Sequence, residues 1–213
     1  DRPGKLQRGP NREAGIAVYM VAGNHDAASQ ITRHLRLPDN VHRFATHRPE
    51  TLVRDDLGVA LHGQGFAARA VTRDLSADYP QAVAGAYNIG LLHTCAGGRE
   101  GHEPYAPCTL DGLRSKGYAY WALGHVHRQE ILARDPWVVF AGNPQGRHIR
   151  ESGAKGAMQV TVDDAGCTTA AFQALDVIRW ECLTLAAEAF ESGDDLLDAV
   201  QQRLTTAQSA AEG

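Results

Sequence analysis

Short apolar runs that stop at or beside glycine are the feature that most limits the fold of this chain. Residues 16–22 form a continuous run with β-branched and aromatic members, which is typical of a buried strand, and the run stops at Gly23. Runs of the same kind predict four more strands at residues 57–62, Tyr87–His93, 118–123 and 137–141. Residues 157–162 and 168–173 alternate around an Asp-Asp-Ala-Gly turn, which predicts a hairpin. Short helices are predicted at 27–35 and 110–116, so the chain is expected to be a mixed α/β protein.

Composition excludes several classes of protein. The chain has 213 residues, of which 43% are hydrophobic and 22% charged, as in a soluble globular domain or one domain with part of another. No apolar run approaches ~20 residues, so no transmembrane helix is predicted. Four scattered cysteines are too few for a disulfide framework, and no secretory signal opens the chain, which together predict a cytoplasmic protein. With a net charge of −4, nucleic-acid binding would require a local basic patch or metal ions.

The pattern changes after residue 175. Residues 177–185 form one more extended stretch, and Ser192-Gly193-Asp194-Asp195 opens an amphipathic helix with apolar residues at helical spacing. A single strand and a helix cannot bury a core of their own. We therefore expect residues 176–213 to be the first piece of a second domain.

Four of the ten histidines directly follow apolar strands. They are His25 in the sequence GNHD, His93 in LLHT, and His125 and His127 in GHVH. Strand ends present side chains to a cleft on a rigid support, and in an extended GHVH segment the two imidazoles would project to the same side. Each motif alone has an ordinary alternative, because a lone histidine is more often a surface or core residue and an Asn24 amide can serve a turn. The three motifs together, in this order, indicate a site.

The ordered set GNHD, strand-end histidine and GHVH resembles the C-terminal half of the signature of calcineurin-like metallophosphoesterases. The blocks LHGQGF (61–66), AGNPQGRHIRE (141–151) and VIRWECL (177–183) resemble bacterial DNA-repair exonucleases of the double-strand-break-repair type. The resemblance covers nearly everything from Gly15 onward. It implies an α/β fold of the four-layer type, a β-sandwich flanked by helices, here N-terminally incomplete. Residues 1–175 would be a partial metallophosphoesterase domain, and 176–213 the beginning of a small capping domain that binds DNA.

The resemblance also implies a metal centre. In the family a hydroxide that bridges two divalent metal ions attacks phosphorus in line with the leaving oxygen. The expected ligands here are Asn24, His93 and His125 for one ion and His127 for the other. His25 would act on the leaving oxygen as the catalytic histidine, and Asp26 would orient His25. Imidazole and oxygen ligands suit Mn²⁺ or another first-row ion.

A glycine-rich segment, residues 142–150, adds candidate substrate-binding residues. The resemblance implies that Arg147, His148 and Arg150 lie near the substrate phosphates, and a solvated turn is the equally plausible alternative. His62 could face the cleft, although a packed histidine is the better interpretation.

The family's first two motifs, Asp-x-His and Gly-Asp, have no counterpart in this sequence. His25 is the first histidine of the chain, and the only carboxylates before Asn24 are Asp1 and Glu13, neither of which follows a glycine. The bridging aspartate and most ligands of one metal are therefore missing, so only one metal site is substantially retained. We expect a fragment that is inactive or impaired.

Three functions remain open from the sequence. The first is a metal-dependent phosphodiesterase that acts as a DNA exonuclease in repair. Its substrate would be DNA and its possible partner an ATPase. The full-length protein could form a homodimer, and no membrane association is expected. The second is a metallophosphoesterase acting on small phosphoesters or nucleotides. The third is a non-catalytic remnant that acts as a binding module.

Overall fold

A six-stranded mixed sheet forms the centre of the structure, a computed structural model that describes residues 13–29, 36–97 and 105–211. The order of strands across this sheet is β3-β4-β5-β6-β8-β7. Its strands are β3 (Glu50–Arg54), β4 (Val59–Gln64), β5 (Tyr87–His93), β6 (Tyr120–Gly124), β7 (Glu130–Arg134) and β8 (Trp137–Phe140).

Two smaller sheets and three helices complete the described structure. The smaller sheets are a parallel pair, β1 (Val18–Met20) with β2 (Val41–Arg43), and an antiparallel hairpin, β9 (Gly156–Val162) with β10 (Thr168–Ala174). The helices are α1 (Asn24–Ala28), α2 (Leu110–Arg114) and α3 (Gly193–Ala211), and single 3₁₀ turns cover Ser76–Asp78 and Ala187–Ala189. No described helix is both long and apolar enough to cross a membrane.

The four inner strands of the large sheet run parallel. β4, β5, β6 and β8 pair with one another in parallel, whereas β3 and β7 run antiparallel at the two edges. The carboxyl ends of parallel strands meet at the same edge of a sheet, where α/β proteins place their ligands. In this sheet the last residue of β5, His93, is registered beside Gly124, the last residue of β6.

The main core packs around Trp121, which is fully buried in the middle of β6. Tyr118 stacks on its ring at a centroid distance of 4.8 Å, and His62 stacks on Tyr118 at 4.2 Å. His62 is itself fully buried, with its two ring nitrogens 2.9 Å from Thr51 Oγ1 and Asn88 Oδ1. Burial lowers the pKa of His62, so it is a neutral, packed residue and does not line the cleft described below.

The sequence predicts most of these elements within a few residues. Tyr87–His93 has the predicted bounds, the hairpin forms as expected, and the predicted C-terminal helix is α3. The edge strands β3 and β7 and the short β2 were not predicted, because their residues are partly exposed and lack a continuous apolar run. The prediction for residues 177–185 is wrong in one respect, since they form no strand.

Parts of the predicted fold are corrected or stay open. The helix expected at 27–35 instead spans Asn24–Ala28 and ends at an extended Ser29, and residues 30–35 lie outside the described part of the chain. The mixed α/β architecture agrees with the fold that the sequence resemblance implies. The four-layer arrangement and the division into domains at 175/176 remain predictions.

A close contact in the core provides a test of this packing. A Cβ added at Gly90 would lie 2.4 Å from Trp121 Cε3, whereas one added at Gly193 meets no atom within 4 Å. We expect Gly90→Ala to lower the free energy of unfolding by about 1–3 kcal/mol, because the ring must shift within a packed core. Gly193→Ala is the matched control and should leave stability nearly unchanged. Denaturant unfolding of both variants measures the difference, and equal stability would contradict the packing around Trp121.

Candidate metal centre

The GNHD motif lies in a helix start and not in an open turn after a strand. The chain leaves β1 and enters α1 at Asn24, and the backbone N–H of Gly23 donates to Asp26 Oδ2 at 3.0 Å. The carboxylate of Asp26 therefore closes the first turn of α1. Asn24 is buried in this turn, whereas the adjacent His25 is exposed.

Asn24 and His93 meet although 69 positions separate them in the chain. His93 Nε2 lies 3.0 Å from Asn24 Oδ1. The approach requires glycine at position 23, because a Cβ there would lie 2.5 Å from His93 Cε1. The ring of Phe66 packs edge-on against His93 at a centroid distance of 5.0 Å. Burial first, and the neighbouring His125 second, lower the pKa of His93 to about 4, so its imidazole is neutral at pH 7.

The GHVH segment is a turn, which corrects the extended conformation considered from the sequence. His125 has a φ of 108°, in a region that residues with a side chain seldom adopt, and Val126 is buried. The turn places the half-buried His125 ring 5.1 Å from the His93 ring. His127 is more exposed than His93 and His125. Its Nδ1 lies 2.5 Å from Glu151 Oε1.

Glu151, which was not predicted as a site residue, connects three groups on this side of the cleft. In addition to His127, it accepts the backbone N–H of Arg147 at 2.8 Å and the Asn143 amide at 3.2 Å, both on Oε2. Burial would raise the pKa of Glu151, but these three hydrogen bonds outweigh burial and lower the pKa to about 2. Glu151 is thus a carboxylate that ties the 143–151 segment to His127.

One cleft of about 1020 Å³ brings most of the predicted residues together. Its lining includes the five residues Asn24, His25, His93, His125 and His127. Basic side chains line the same cleft at Arg128, Arg150 and Lys155.

Two of the three predicted substrate-binding residues lie outside this cleft. Arg147 and His148 are not among the residues that line it, and both are exposed. Arg147 meets Glu151 through its backbone N–H, while His148 Nδ1 accepts the backbone N–H of Arg150. Their local hydrogen bonds fit the alternative of a solvated turn, and only Arg150 keeps a place at the cleft.

The orienting role predicted for Asp26 differs from the contact that the structure shows. Neighbouring residues of a helix point in different directions, and the carboxylate of Asp26 accepts the Gly23 N–H. Asp26 also acts on His93 through its charge, which partly opposes the fall in the pKa of that imidazole. Asp26 therefore affects the cleft in two ways: its hydrogen bond stabilises the first turn of α1, and its negative charge acts on the His93 imidazole.

The donor atoms fit one metal ion better than two. Asn24 Oδ1 and His93 Nε2 are 3.0 Å apart, which is roughly the spacing of two ligands that share one first-row ion with bonds of about 2.1 Å at right angles. His125 offers a second imidazole beside them. Within the described ranges, no group of three or more His, Cys, Asp or Glu side chains is arranged to hold a metal ion. A site here therefore depends on the amide oxygen of Asn24, and the residues present do not make a two-metal centre.

The residues that sequence reasoning missed are Glu151, Lys155 and Arg128. Glu151 and Lys155 follow glycine-rich stretches after β8, and Arg128 directly follows the GHVH motif. Glu151 and Lys155 come close to the motif histidines because the loop after β8 returns to this edge of the sheet. Sequence signals existed for two of them: Arg128 is adjacent to His127, and Glu151 ends the AGNPQGRHIRE block. No sequence signal marked Lys155.

Comparison with known proteins gives one informative similarity. The chain is 38% identical over 174 residues to a Bacillus subtilis (strain 168) protein described as "Uncharacterized metallophosphoesterase YhaO". The match covers 80% of this chain and 42% of that relative, so the chain spans less than half of the relative's length. No family model matches the chain. The similarity supports the metallophosphoesterase class for the matched part of the chain.

The contact between Gly23 and His93 can be tested without any metal. In Gly23→Ala the new Cβ would lie 2.5 Å from His93 Cε1, so the ring must move away from Asn24 Oδ1. We expect the imidazole NMR signals of His93 to shift strongly, while those of His127 stay in place because Glu151 holds that ring. Gly193→Ala is the control and should move neither set. Unchanged His93 signals in Gly23→Ala would show that the ring does not lie against this helix start.

Proposed function

We propose that this chain contributes the histidine side of a metal-dependent phosphodiesterase centre that hydrolyses DNA in repair. The observation that supports the proposal most is the convergence of Asn24, His93 and His125 on one cleft from three separate points of the chain, with Asn24 Oδ1 and His93 Nε2 3.0 Å apart. The similarity to a metallophosphoesterase agrees with this chemistry. When bound, a divalent cation such as Mn²⁺ would activate water and neutralise charge that develops on the phosphate.

Burial divides the candidate residues into two groups. Asn24 is buried, and His93 and His125 are half-buried around it, so these side chains are held in place and suit the binding of an ion. His25 is exposed at the cleft on the same helix turn. An exposed imidazole can approach the leaving oxygen and give it a proton, a contribution typically worth about 10²–10⁴ in rate.

His127 has a different environment from the other histidines. Its Nδ1 is engaged by Glu151, which leaves Nε2 as the ring nitrogen that can bind a ligand in the cleft. We propose that His127 serves a second ion, as the sequence resemblance implies. The other ligands of that ion would have to come from groups beyond those described.

The charge distribution favours a nucleic-acid substrate. The whole chain carries −4, so its overall field repels DNA, yet Arg128 and Arg150 line the cleft beside the histidines. Local arginines can bind the phosphates that flank a reacting bond, which a small phosphoester does not have. A DNA exonuclease role, an ATPase partner and a homodimer follow from the sequence resemblance and are part of the same proposal.

The division of roles predicts separable defects. In a longer protein that carries this sequence together with upstream Asp-x-His and Gly-Asp motifs, we expect His25→Ala to lower kcat by roughly 10²–10⁴ with unchanged metal content. We expect His125→Ala to lower metal content first, with activity partly restored by excess Mn²⁺. Asn24→Ala should resemble His125→Ala.

The measurement is metal content and kcat on linear DNA, side by side for the three variants. His47→Ala is a suitable control, because His47 is exposed and outside the cleft. If His25→Ala loses metal as readily as His125→Ala, His25 is a ligand and the proposed role is wrong. If none of the variants changes hydrolysis of DNA, the cleft is not the phosphodiesterase site.

A further inference from the structure

Two lysines of the described chain are buried, and their surroundings differ. Lys116 is 9% exposed, and its Nζ donates to the carbonyl oxygens of Ala77 and Tyr79, each at 2.8 Å. These contacts join the end of α2 to the Ser76–Asp78 turn, away from the cleft. Lys116 is therefore explained by the fold alone.

Lys155 is buried to a similar degree, but it lines the cleft. It is 7% exposed, and its Nζ donates to the carbonyl oxygen of His127 at 3.1 Å. An ammonium group has three hydrogens to donate, and burial makes unused ones unfavourable. Among the described residues, the contacts of Lys155 Nζ provide one carbonyl and no carboxylate.

Asp176, which contacts the Lys155 backbone, and Glu151, which lines the same cleft, are both engaged elsewhere. Asp176 Oδ1 accepts the backbone N–H of Lys155, and both oxygens of Asp176 bind the guanidinium of Arg179. Glu151 accepts its hydrogen bonds from His127, Asn143 and Arg147. The positive charge of Lys155 is therefore available to bind an anion that enters the cleft.

The backbone fixes Lys155 in this position. Its carbonyl oxygen accepts the N–H groups of Leu175 at 2.8 Å and Asp176 at 3.2 Å, and its own N–H is held by Asp176. A lysine whose side chain is already ordered loses little further conformational entropy when it binds a ligand. The position is thus prepared for an anion before one arrives.

We propose that Lys155 is a substrate-binding residue whose ammonium takes a non-bridging oxygen of a phosphate in the cleft, with Arg150 on the same lining. The identity of the anion as a phosphodiester rests on the proposed function. The ammonium would repel a divalent cation, so it marks an anion position next to the histidines and is not a part of the ion site.

Binding of phosphate without metal tests the proposal on the chain as it exists. The probes are inorganic phosphate and the dinucleotide dTpdT, each titrated into metal-free protein and followed by NMR. We expect Lys155→Met to weaken binding of both probes by about 10- to 100-fold, as for the loss of a hydrogen bond to a charged group. Lys155→Arg should keep most of the affinity. Lys116→Met is the matched control, a buried lysine outside the cleft, and should bind both probes like the unmodified chain.

A second variant covers the case in which Lys155→Met does not fold. Lys155→Gln keeps a donor for the His127 carbonyl but removes the charge, and it should show the same loss of affinity. Unchanged binding in folded Lys155→Met or Lys155→Gln, or no binding by the unmodified chain, would overturn the proposal. Binding of inorganic phosphate but not of dTpdT through Lys155 would overturn the assignment to a phosphodiester.

The outcome separates this proposal from the proposed function. Binding of Mn²⁺ is measured on the same samples. Phosphate binding that depends on Lys155 in a chain that binds no Mn²⁺ would support the anion site and count against the metal centre. If the chain binds Mn²⁺ but substitution of Lys155 leaves phosphate binding unchanged, the metal centre is supported and the anion site is contradicted.

Discussion

The position of the His93 ring between two glycines is the constraint on which the rest of the site depends. A Cβ at Gly23 would lie 2.5 Å from the ring, and one at Gly124 would lie 3.2 Å from His93 Nδ1. Gly124 is next to His93 because β5 and β6 pair in parallel register. Gly23 arrives from outside this sheet, since Phe66 N–H binds the carbonyl oxygen of Ala22 at 2.7 Å. Because both positions are glycine, the GNHD and GHVH motifs can each approach the His93 imidazole closely.

The cleft combines neutral metal-binding groups with charged side chains. Asn24 carries an uncharged amide, and burial keeps the His93 imidazole neutral at pH 7. Asp26, whose charge acts on His93, accepts the Gly23 N–H, and Glu151 accepts hydrogen bonds from His127 and the 143–151 segment. Cationic side chains at Arg128, Arg150 and Lys155 occupy other parts of the cleft lining. Among the described residues, the cleft offers amide and imidazole atoms for one ion and basic side chains for an anion. Its carboxylate, Glu151, is engaged by His127, Asn143 and Arg147, so a two-metal centre would need a carboxylate from beyond these residues.

Much of the site could be predicted because its motifs follow strands. An apolar run that ends in histidine fixes a strand and its last residue together, as for Tyr87–His93, and parallel strands then bring such ends to one edge. Local geometry was harder to predict. The helix begins at Asn24 and His125 has a positive φ, and neither feature is marked by the periodicity of apolar residues.

The contacts of the segment after β8 could not be predicted from the sequence. Arg147 and His148 look suitable for phosphate by composition, yet neither lines the cleft. The backbone N–H of Arg147 binds Glu151, and His148 Nδ1 accepts the backbone N–H of Arg150. Lys155 lies in a sequence of small residues, and its importance depends on the carbonyl of His127 28 positions away. Edge strands β3 and β7 were missed because neither has a continuous apolar run: β3 alternates between half-buried and exposed residues, and β7 begins and ends with charged residues.

The central claim is that Asn24, His93 and His125 form one ion site in this cleft. Anomalous scattering at the manganese edge, from crystals of the chain soaked with Mn²⁺, tests it most directly. The account predicts one strong peak bonded to Asn24 Oδ1 and to the imidazoles of His93 and His125. A peak bound only by His127 and Glu151, or no peak in the cleft at saturating Mn²⁺, would contradict it.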